Sequence, residues 1–375
     1  MTTIKQIILK TELYKFNKVT EFINDFKIDE NDLILTNEYI FIPYFKELNI
    51  KANVIFQEKY GNGEPTDEMF ERIYLDISKL KEYRRVIGVG GGTIMDLAKI
   101  LALKNCSPVE DLFSGNIKIE KDKELILIPT TCGTGSEVTN ISILSFVSKN
   151  TKIGLAVDEM YADKAVILPE LLEGLPFQFF ASSSIDALIH AVESSLSPKS
   201  TEYTELFSYK AIEKIIKGYQ YIVENGEESR KNMLEEFLIA SNYAGIAFGT
   251  AGCATVHALS YPLSGTFHVP HGEANYAVFI AVMKKYMTKK SDGKIKKLNI
   301  FLANLLECDE ENVYNNLELL LNKIIYKKTL KEYGANIEIL EEWTKNVLET
   351  QQRLIVNSFV PLNSADILDI YKSLN

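Results

Sequence analysis

The sequence predicts an α/β half on a mainly parallel sheet, residues 1–179, followed by an all-helical half, residues 180–375. Three observations carry that expectation. A chain of 375 residues exceeds the size at which one hydrophobic core stops growing, so two domains are the natural division. The first half alternates short β-branched or aliphatic runs with helical patterns, as a parallel sheet flanked by helices requires. Beyond Pro176 the texture changes to long helical segments with no convincing strand.

In order, LILTN (33–37), NVIFQ (53–57), RVIGVGGG (85–92), ELILIPTT (124–131) and KAVILP (164–169) are strands, because each is short, aliphatic and closed by polar, Gly or Pro residues. Lys152 precedes a further strand-like run, IGLAV. In the second half, IDALIHAVESSL, TELFSYKAIEKIIKGYQYIV, RKNMLEEFLIASNYAGIAF and YNNLELLLNKIIY have helical texture. Serines 182 to 184 offer an N-cap to the first of these. No internal repeat of fixed period is visible.

Composition narrows the function. A formal net charge of -10 argues against a nucleic-acid partner, since phosphate binding needs clustered Lys and Arg. The basic stretch from Lys284 to Lys297 reads as a solvated helix end or loop. The N-terminal MTTIKQIILKTELYKF lacks the features of a signal peptide and no run reaches the length of a membrane span, so no membrane association and a cytoplasmic location are expected. Cys106, Cys132, Cys253 and Cys308 form no Cys-x-x-Cys pair and suit reduced thiols, with Cys132 and Cys253 expected to be buried.

Two glycine-bearing loops follow strands in the first half. GVGGGTIMDLAK (88–99) sits where a parallel sheet brings phosphates to a helix N-terminus, and glycines would let backbone N–H groups approach a pyrophosphate. Thr93 stands where a third Rossmann glycine would be, so a tight turn without a ligand fits this stretch equally. PTTCGTGSE (129–137) adds the hydroxyls of Thr130, Thr131, Thr134 and Ser136, a donor set beyond the needs of an N-capping loop. Two such loops favour a dinucleotide over a mononucleotide.

The second half gathers the histidines. All four lie in two segments, His190 in SSSIDALIHAVES and His257, His268 and His271 in HALSYPLSGTFHVPHGEAN. Asp186 and His190 are four apart and project side by side from a helix, which alone would read as a surface Asp-His pair. With His257 and His271 they make a four-ligand set of N/O type, suited to Fe(II), Zn(II), Co(II) or Mn(II) with positions left for a substrate oxygen.

Together, GGGTxxDxAK, PTTCGTGSE, DALIHAVE and the histidine-rich block resemble the iron-dependent (group III) alcohol dehydrogenase family, in order and along nearly the whole chain. The resemblance implies a dehydroquinate-synthase-like architecture, an α/β dinucleotide-binding domain plus an all-α metal-binding domain. It implies metal ligands at Asp186, His190, His257 and His271, a pyrophosphate loop at Gly90, Gly91, Gly92 and Thr93, and a second cofactor loop at Thr130, Thr131 and Thr134. Lys152 matches a lysine that approaches the cofactor in relatives. NAD and Fe(II) are the implied cofactors, Zn(II) being compatible with the same ligands. The finer texture of the resemblance, in ILTNEY, FQEKYGNGEPTDEM, GSEVTN, SNYAGIAFG, YPLSGTFHVPHGEANY and QQRLIVNSF, implies 4-hydroxybutyrate and succinate semialdehyde as the hydroxy acid and aldehyde pair. A homo-oligomer, as a dimer, is a separate expectation.

Two departures matter. Many relatives carry an aspartate that binds the adenine ribose and repels a 2′-phosphate where this chain has Asn37; asparagine can accept from a ribose hydroxyl but supplies no charge. Many also have a histidine where this chain has Tyr261, whereas His268 lies three residues before the last ligand. Tyr261 and His268 are therefore read as a proton relay, with a hydrogen-bonded turn histidine as the equal alternative. Two other functions stay open: another alcohol or diol dehydrogenase of the family, and a catalytically silent cofactor-binding protein. A lyase of the dehydroquinate-synthase type would need basic residues that the block from 257 to 275 lacks.

Overall fold

The computed structural model describes residues 5–149 and 151–375, so the first four residues of the N-terminal stretch read above lie outside it. The chain divides into an α/β unit, Leu9–Leu175, and a helical unit, Pro176–Asn375, which also takes the N-terminal segment ending at Ile8. The division precedes the expected 179/180 boundary because a helix starts at Phe177, and that boundary cuts its first turn.

The sheet of the α/β unit has strands β1 (Glu12–Lys15), β2 (Asp32–Thr36), β3 (Asn53–Phe56), β4 (Arg85–Gly90), β5 (Glu124–Pro129) and β8 (Lys164–Ile167). The order is β1-β8-β5-β4-β2-β3 and every pair is parallel. β2 and β4 are buried along their whole length, which is why they read as unbroken aliphatic runs rather than alternating ones. At their N-terminal ends the buried Arg85 guanidinium grips Asp32 through two bonds of 2.7 and 2.6 Å, fixing the register of neighbouring strands. The chain passes from β2 outward to β3, then returns to β4 and continues to β5 and β8. The winding direction thus reverses between β2 and β4, the position at which open parallel sheets bind ligands beyond their carboxyl ends. Helices α1 (Val19–Phe26), α2 (Glu38–Tyr44), α3 (Asp67–Ile77), α4 (Gly92–Leu101) and α5 (Val109–Phe113) complete the unit.

The sequence expectations missed two strands. β1, ELYK, is a mostly exposed edge strand whose partner β8 lies about 150 residues away, so no local pattern marks it. β6 (Ile141–Phe146) pairs antiparallel with β7 (Thr151–Ala156) in a separate two-stranded sheet. Lys152 lies inside β7, opposite Ser145, rather than before it.

The helical unit is built on α6 (Phe177–Leu196), α7 (Glu202–Asn225), α8 (Leu234–Ala251), α9 (Thr255–Phe267) and α10 (His271–Lys289), with shorter helices following to Lys372. Pro176 occupies the N-cap of α6, so serines 182 to 184 are interior residues and not its cap. Ser183 and Ser184 return their hydroxyls to the carbonyls of Phe180 and Ala181, at 3.1 and 3.2 Å, which satisfies them inside the helix. Every residue of α6 from Ser184 to Leu196 is buried. Its polar face is therefore turned into protein, and each polar group on it needs a partner. Among the described residues, no single helix is long and apolar enough to cross a membrane.

Candidate metal centre and cofactor loops

α6, α9 and α10 together deliver four side chains to one point. Asp186 and His190 project from successive turns of α6, His257 from the first turn of α9, and His271 is the first residue of α10. One donor atom from each lies within 4.8 Å of all the others. Asp186 Oδ1 is 3.6 Å from His257 Nε2 and 3.7 Å from His271 Nε2, while Asp186 Oδ2 is 3.8 Å from His190 Nδ1. Two donors bound tetrahedrally at ~2.1 Å would stand ~3.4 Å apart, so these spacings need little contraction to enclose an ion.

Gly272 makes this convergence achievable. A Cβ there would lie 2.0 Å from the backbone carbonyl oxygen of Ser182, so only glycine lets the start of α10 press against α6 and bring His271 to Asp186. The rings are then fixed by packing: His190 stacks on Phe248 (4.3 Å between centroids) and on His257 (4.5 Å).

Two residues that the sequence reading did not assign complete the centre. Glu193, one helical turn beyond His190 and buried, takes the Nδ1 of His257 at 2.6 Å and accepts from the backbone N–H groups of Ala254 (2.9 Å) and Val256 (2.6 Å). With Nδ1–H donating to Glu193, the lone pair of His257 sits on Nε2, the atom facing Asp186. Asn275, one turn after His271, donates to Asp186 Oδ1 at 2.8 Å. A signal for Glu193 was present in its i+3 spacing from His190, but its partner on α9 is 64 residues away.

The donor set fits a divalent ion. His257 Nε2 is buried and has no hydrogen-bond partner among the described residues, a state that is costly unless something occupies its lone pair. Burial opposes the charge on Asp186, yet His190, His271 and His257 outweigh it and hold its carboxyl well below the ordinary range. Burial likewise opposes protonation of His257, but Asp186 and Glu193 push it up to about 9. A pocket whose carboxylates draw a proton onto its imidazole is one that favours a cation there.

Tyr261 lies on α9 with its ring 6.0 Å from that of His271. His268 is exposed at the C-cap of α9, in the left-handed region with φ 54°, and is not one of the four clustered side chains. Of the two cysteines expected to be buried, Cys132 is and Cys253 is only half-buried.

In the α/β unit the two loops meet at the carboxyl ends of β4 and β5. Gly91 is the N-cap of α4, and a Cβ on Gly91 or Gly92 would reach the methyls of Thr131 and Thr134 at 3.5 and 3.1 Å. The pair therefore leaves a narrow cradle of backbone N–H groups and hydroxyls that side chains would fill, which suits a pyrophosphate. Gly90 is required for a different reason: its Cβ would lie 2.6 Å from Cβ of Ile94. Thr130 is buried and its N–H donates to the carbonyl of Gly90, Thr134 accepts from the N–H of Ser136, and Thr93 donates to the carbonyl of Gly63 at 3.0 Å. Lys152 is paired with Glu64, the residue after Gly63. Asn37 is buried at the end of β2, its amide donating to Gln57 and Glu58. Beneath the second loop the fully buried Lys99 donates to Ser136 Oγ (2.6 Å), Thr139 Oγ1 (3.2 Å) and the carbonyl of Ile141 (2.7 Å), and Asp96 accepts from Ser136 Oγ at 3.0 Å.

Known proteins match this chain along almost all of it. The iron-containing alcohol dehydrogenase family matches residues 13–169, and the C-terminal part of the Fe-containing alcohol dehydrogenase family matches residues 180–375. The chain is 50% identical over 371 residues to 4-hydroxybutyrate dehydrogenase of Clostridium kluyveri, covering 99% of this chain and 100% of that protein. It is 38% identical over 303 residues to long-chain-alcohol dehydrogenase 1 of Geobacillus thermodenitrificans, covering 77% and 74%. Its fold matches that of sulfoacetaldehyde reductase from Bifidobacterium kashiwanohense, solved in complex with NAD+, with a TM-score of 0.84 at 19% identity over 100% of this chain and 99% of that one. From its matched residues and its relatives, the chain belongs to the iron-containing alcohol dehydrogenase family.

Proposed function

We propose that this protein is an NAD-dependent alcohol dehydrogenase that interconverts 4-hydroxybutyrate and succinate semialdehyde. The observation that carries the reading is the convergence of Asp186, His190, His257 and His271 in a chain 50% identical, end to end, to a 4-hydroxybutyrate dehydrogenase. The alcohol loses a hydride from its carbinol carbon to NAD+ and a proton from its oxygen, giving the aldehyde and NADH. When bound, Fe(II) or Zn(II) supplies Lewis acidity toward the substrate oxygen and the nicotinamide exchanges the hydride.

The chain's own groups do the rest. The four clustered residues hold the ion, and Glu193 keeps the Nδ1 proton of His257 so that Nε2 is free to ligate. Gly90, Gly91, Gly92, Thr93, Thr130, Thr131 and Thr134 bind the pyrophosphate, and Asn37 and Lys152 border the cofactor. The Tyr261 hydroxyl and the exposed His268 imidazole pass the alcohol proton to solvent. A cytoplasmic homodimer belongs to the same reading: four free thiols suit a reducing compartment, and β1 lies at the edge of its sheet, a position at which a second copy can extend it.

The test is NADH oxidation by anaerobically metal-loaded protein. Succinate semialdehyde should be reduced at least about tenfold faster per unit concentration than butyraldehyde, because a bound carboxylate adds transition-state contacts. Equal rates on the two aldehydes would reject the substrate assignment and leave the family assignment standing.

A further inference from the structure

The charge missing at Asn37 is present in the structure, on a different residue. Glu58 follows β3, the neighbour of β2, and its carboxylate is held at the carboxyl end of β2 by two donors: Asn37 Nδ2 to Oε2 at 3.0 Å and the backbone N–H of Glu38 to Oε1 at 2.5 Å. The amide nitrogen of Asn37 also donates to Gln57 Oε1 at 3.1 Å, so Asn37 anchors neighbouring side chains. Lys59, the next residue in the chain, is engaged elsewhere: its Nζ pairs with Glu38 at 3.6 Å and lies over the Phe56 ring.

The position suits an adenosine ribose. In a parallel sheet that binds a dinucleotide, the pyrophosphate lies at the glycine-rich turn and the ribose at an acidic residue ending the adjacent strand. Here that turn follows β4, β2 is its neighbour, and Thr36 Oγ1 donates to the carbonyl of Val89 at 2.8 Å, joining the two strand ends. The segment that carries Glu58 is tied to the same turn where Thr93 donates to Gly63.

We infer that Glu58, held by Asn37 and the Glu38 amide, is the carboxylate that accepts from the adenosine ribose hydroxyls and repels a 2′-phosphate, making the protein selective for NAD(H) over NADP(H). The inference rests on the dinucleotide reading above. It exchanges the usual aspartate on β2 for a glutamate delivered from β3, with asparagine as its support.

Direct binding tests it without turnover or metal. NADH and NADPH are titrated against wild type and Glu58→Gln by nicotinamide fluorescence, and ADP and 2′,5′-ADP by calorimetry. Wild type should prefer the ligands without a 2′-phosphate. Glu58→Gln retains an acceptor for the Glu38 N–H but loses the charge, so the NADPH-to-NADH affinity ratio should rise about tenfold or more. A parallel fall of both affinities, or an unchanged ratio, would mean that Glu58 only supports the loop and would overturn the inference. A wild-type measurement stands beside it. The discrimination between ADP and 2′,5′-ADP should shrink as salt rises to about 0.5 M, because charge repulsion is screened, and salt-independent discrimination would also count against Glu58. If wild type bound NADH and NADPH equally, the inference would fail and the dinucleotide reading would stand; if it bound neither, both would fail.

Discussion

In the proposed function the α/β unit and the helical unit each hold a small charged group, by opposite means. In the first, the candidate site is mainly backbone: glycines at 90 to 92 and threonines at 130, 131 and 134, gathered at the ends of adjacent strands. In the second it is entirely side chain: a carboxylate and three imidazoles from three helices, backed by Glu193 and Asn275. A loop site tolerates variation in side chains but not the addition of a Cβ. A helix-borne site tolerates neither a shift of one helix nor the loss of one ligand, because each donor is positioned through packing. A glycine is critical in both units, for different reasons.

The largest effects are expected from adding one methyl to each unit. Gly272→Ala should abolish metal retention, since its Cβ would stand 2.0 Å from the Ser182 carbonyl oxygen and α10 must retreat from α6. NADH binding should persist. Gly90→Ala should do the reverse, because its Cβ would meet the stiff, β-branched Ile94 at 2.3 to 2.6 Å and displace the start of α4. Metal analysis and NADH titration on both variants check the crossed pattern; loss of both functions in either variant would show that the two sites do not fail independently.

A smaller effect is expected from Glu193→Gln. The amide can still accept from one backbone N–H, but its NH2 faces the other and weakens the lock on His257. Metal affinity should fall about 10- to 100-fold, the usual cost of removing an outer partner of a metal-bound imidazole. Competition with a chelator measures this, and an unchanged affinity would leave Glu193 a helix-packing residue.

The corresponding support in the α/β unit is Lys99, and it makes its own prediction. Burial pushes its ammonium down to about 8, with Asp96 and Glu137 opposing, against an ordinary value of 10.5. The folded state therefore penalises the charged lysine. That penalty is fully present below about 8 and is relieved as pH rises toward 10.5, where the unfolded chain also loses the proton. Relative to Lys99→Met, wild type should gain on the order of 1 to 3 kcal/mol of unfolding free energy between those pH values. Denaturant titrations of both proteins across that window test the sign, and a flat difference would place the Lys99 charge outside the stability balance.

The smallest effect belongs to His268. His268→Gln should keep metal content unchanged and slow alcohol oxidation by less than about 10², the lower range for a group acting directly on a transferred proton. An unchanged rate would leave His268 as the left-handed residue that ends α9.

Much of the site was readable from the chain because its signals are local. Glycines after an aliphatic run, hydroxyls in the loop that follows a strand, and a carboxylate and an imidazole four residues apart on a helix all express constraints within a few residues, where φ/ψ preference and side-chain period operate. The strands at 32–36, 53–56, 85–90, 124–129 and 164–167 were found for the same reason, within one to two residues of the expected limits.

What the tertiary structure alone decided depends on residues far apart along the chain. The N-terminal strand β1 finds β8, α6 begins at Phe177 behind Pro176 and so before its serines, and Glu193 meets an imidazole 64 residues away. Gly272 is needed only because Ser182 lies against it, and the charge absent from Asn37 returns on Glu58. Sequence pattern specifies which groups are available and which face of an element they occupy. Their partners are chosen when elements pack, since burying a carboxylate, an imidazole or a backbone amide is favourable only if a partner from elsewhere in the fold arrives to meet it.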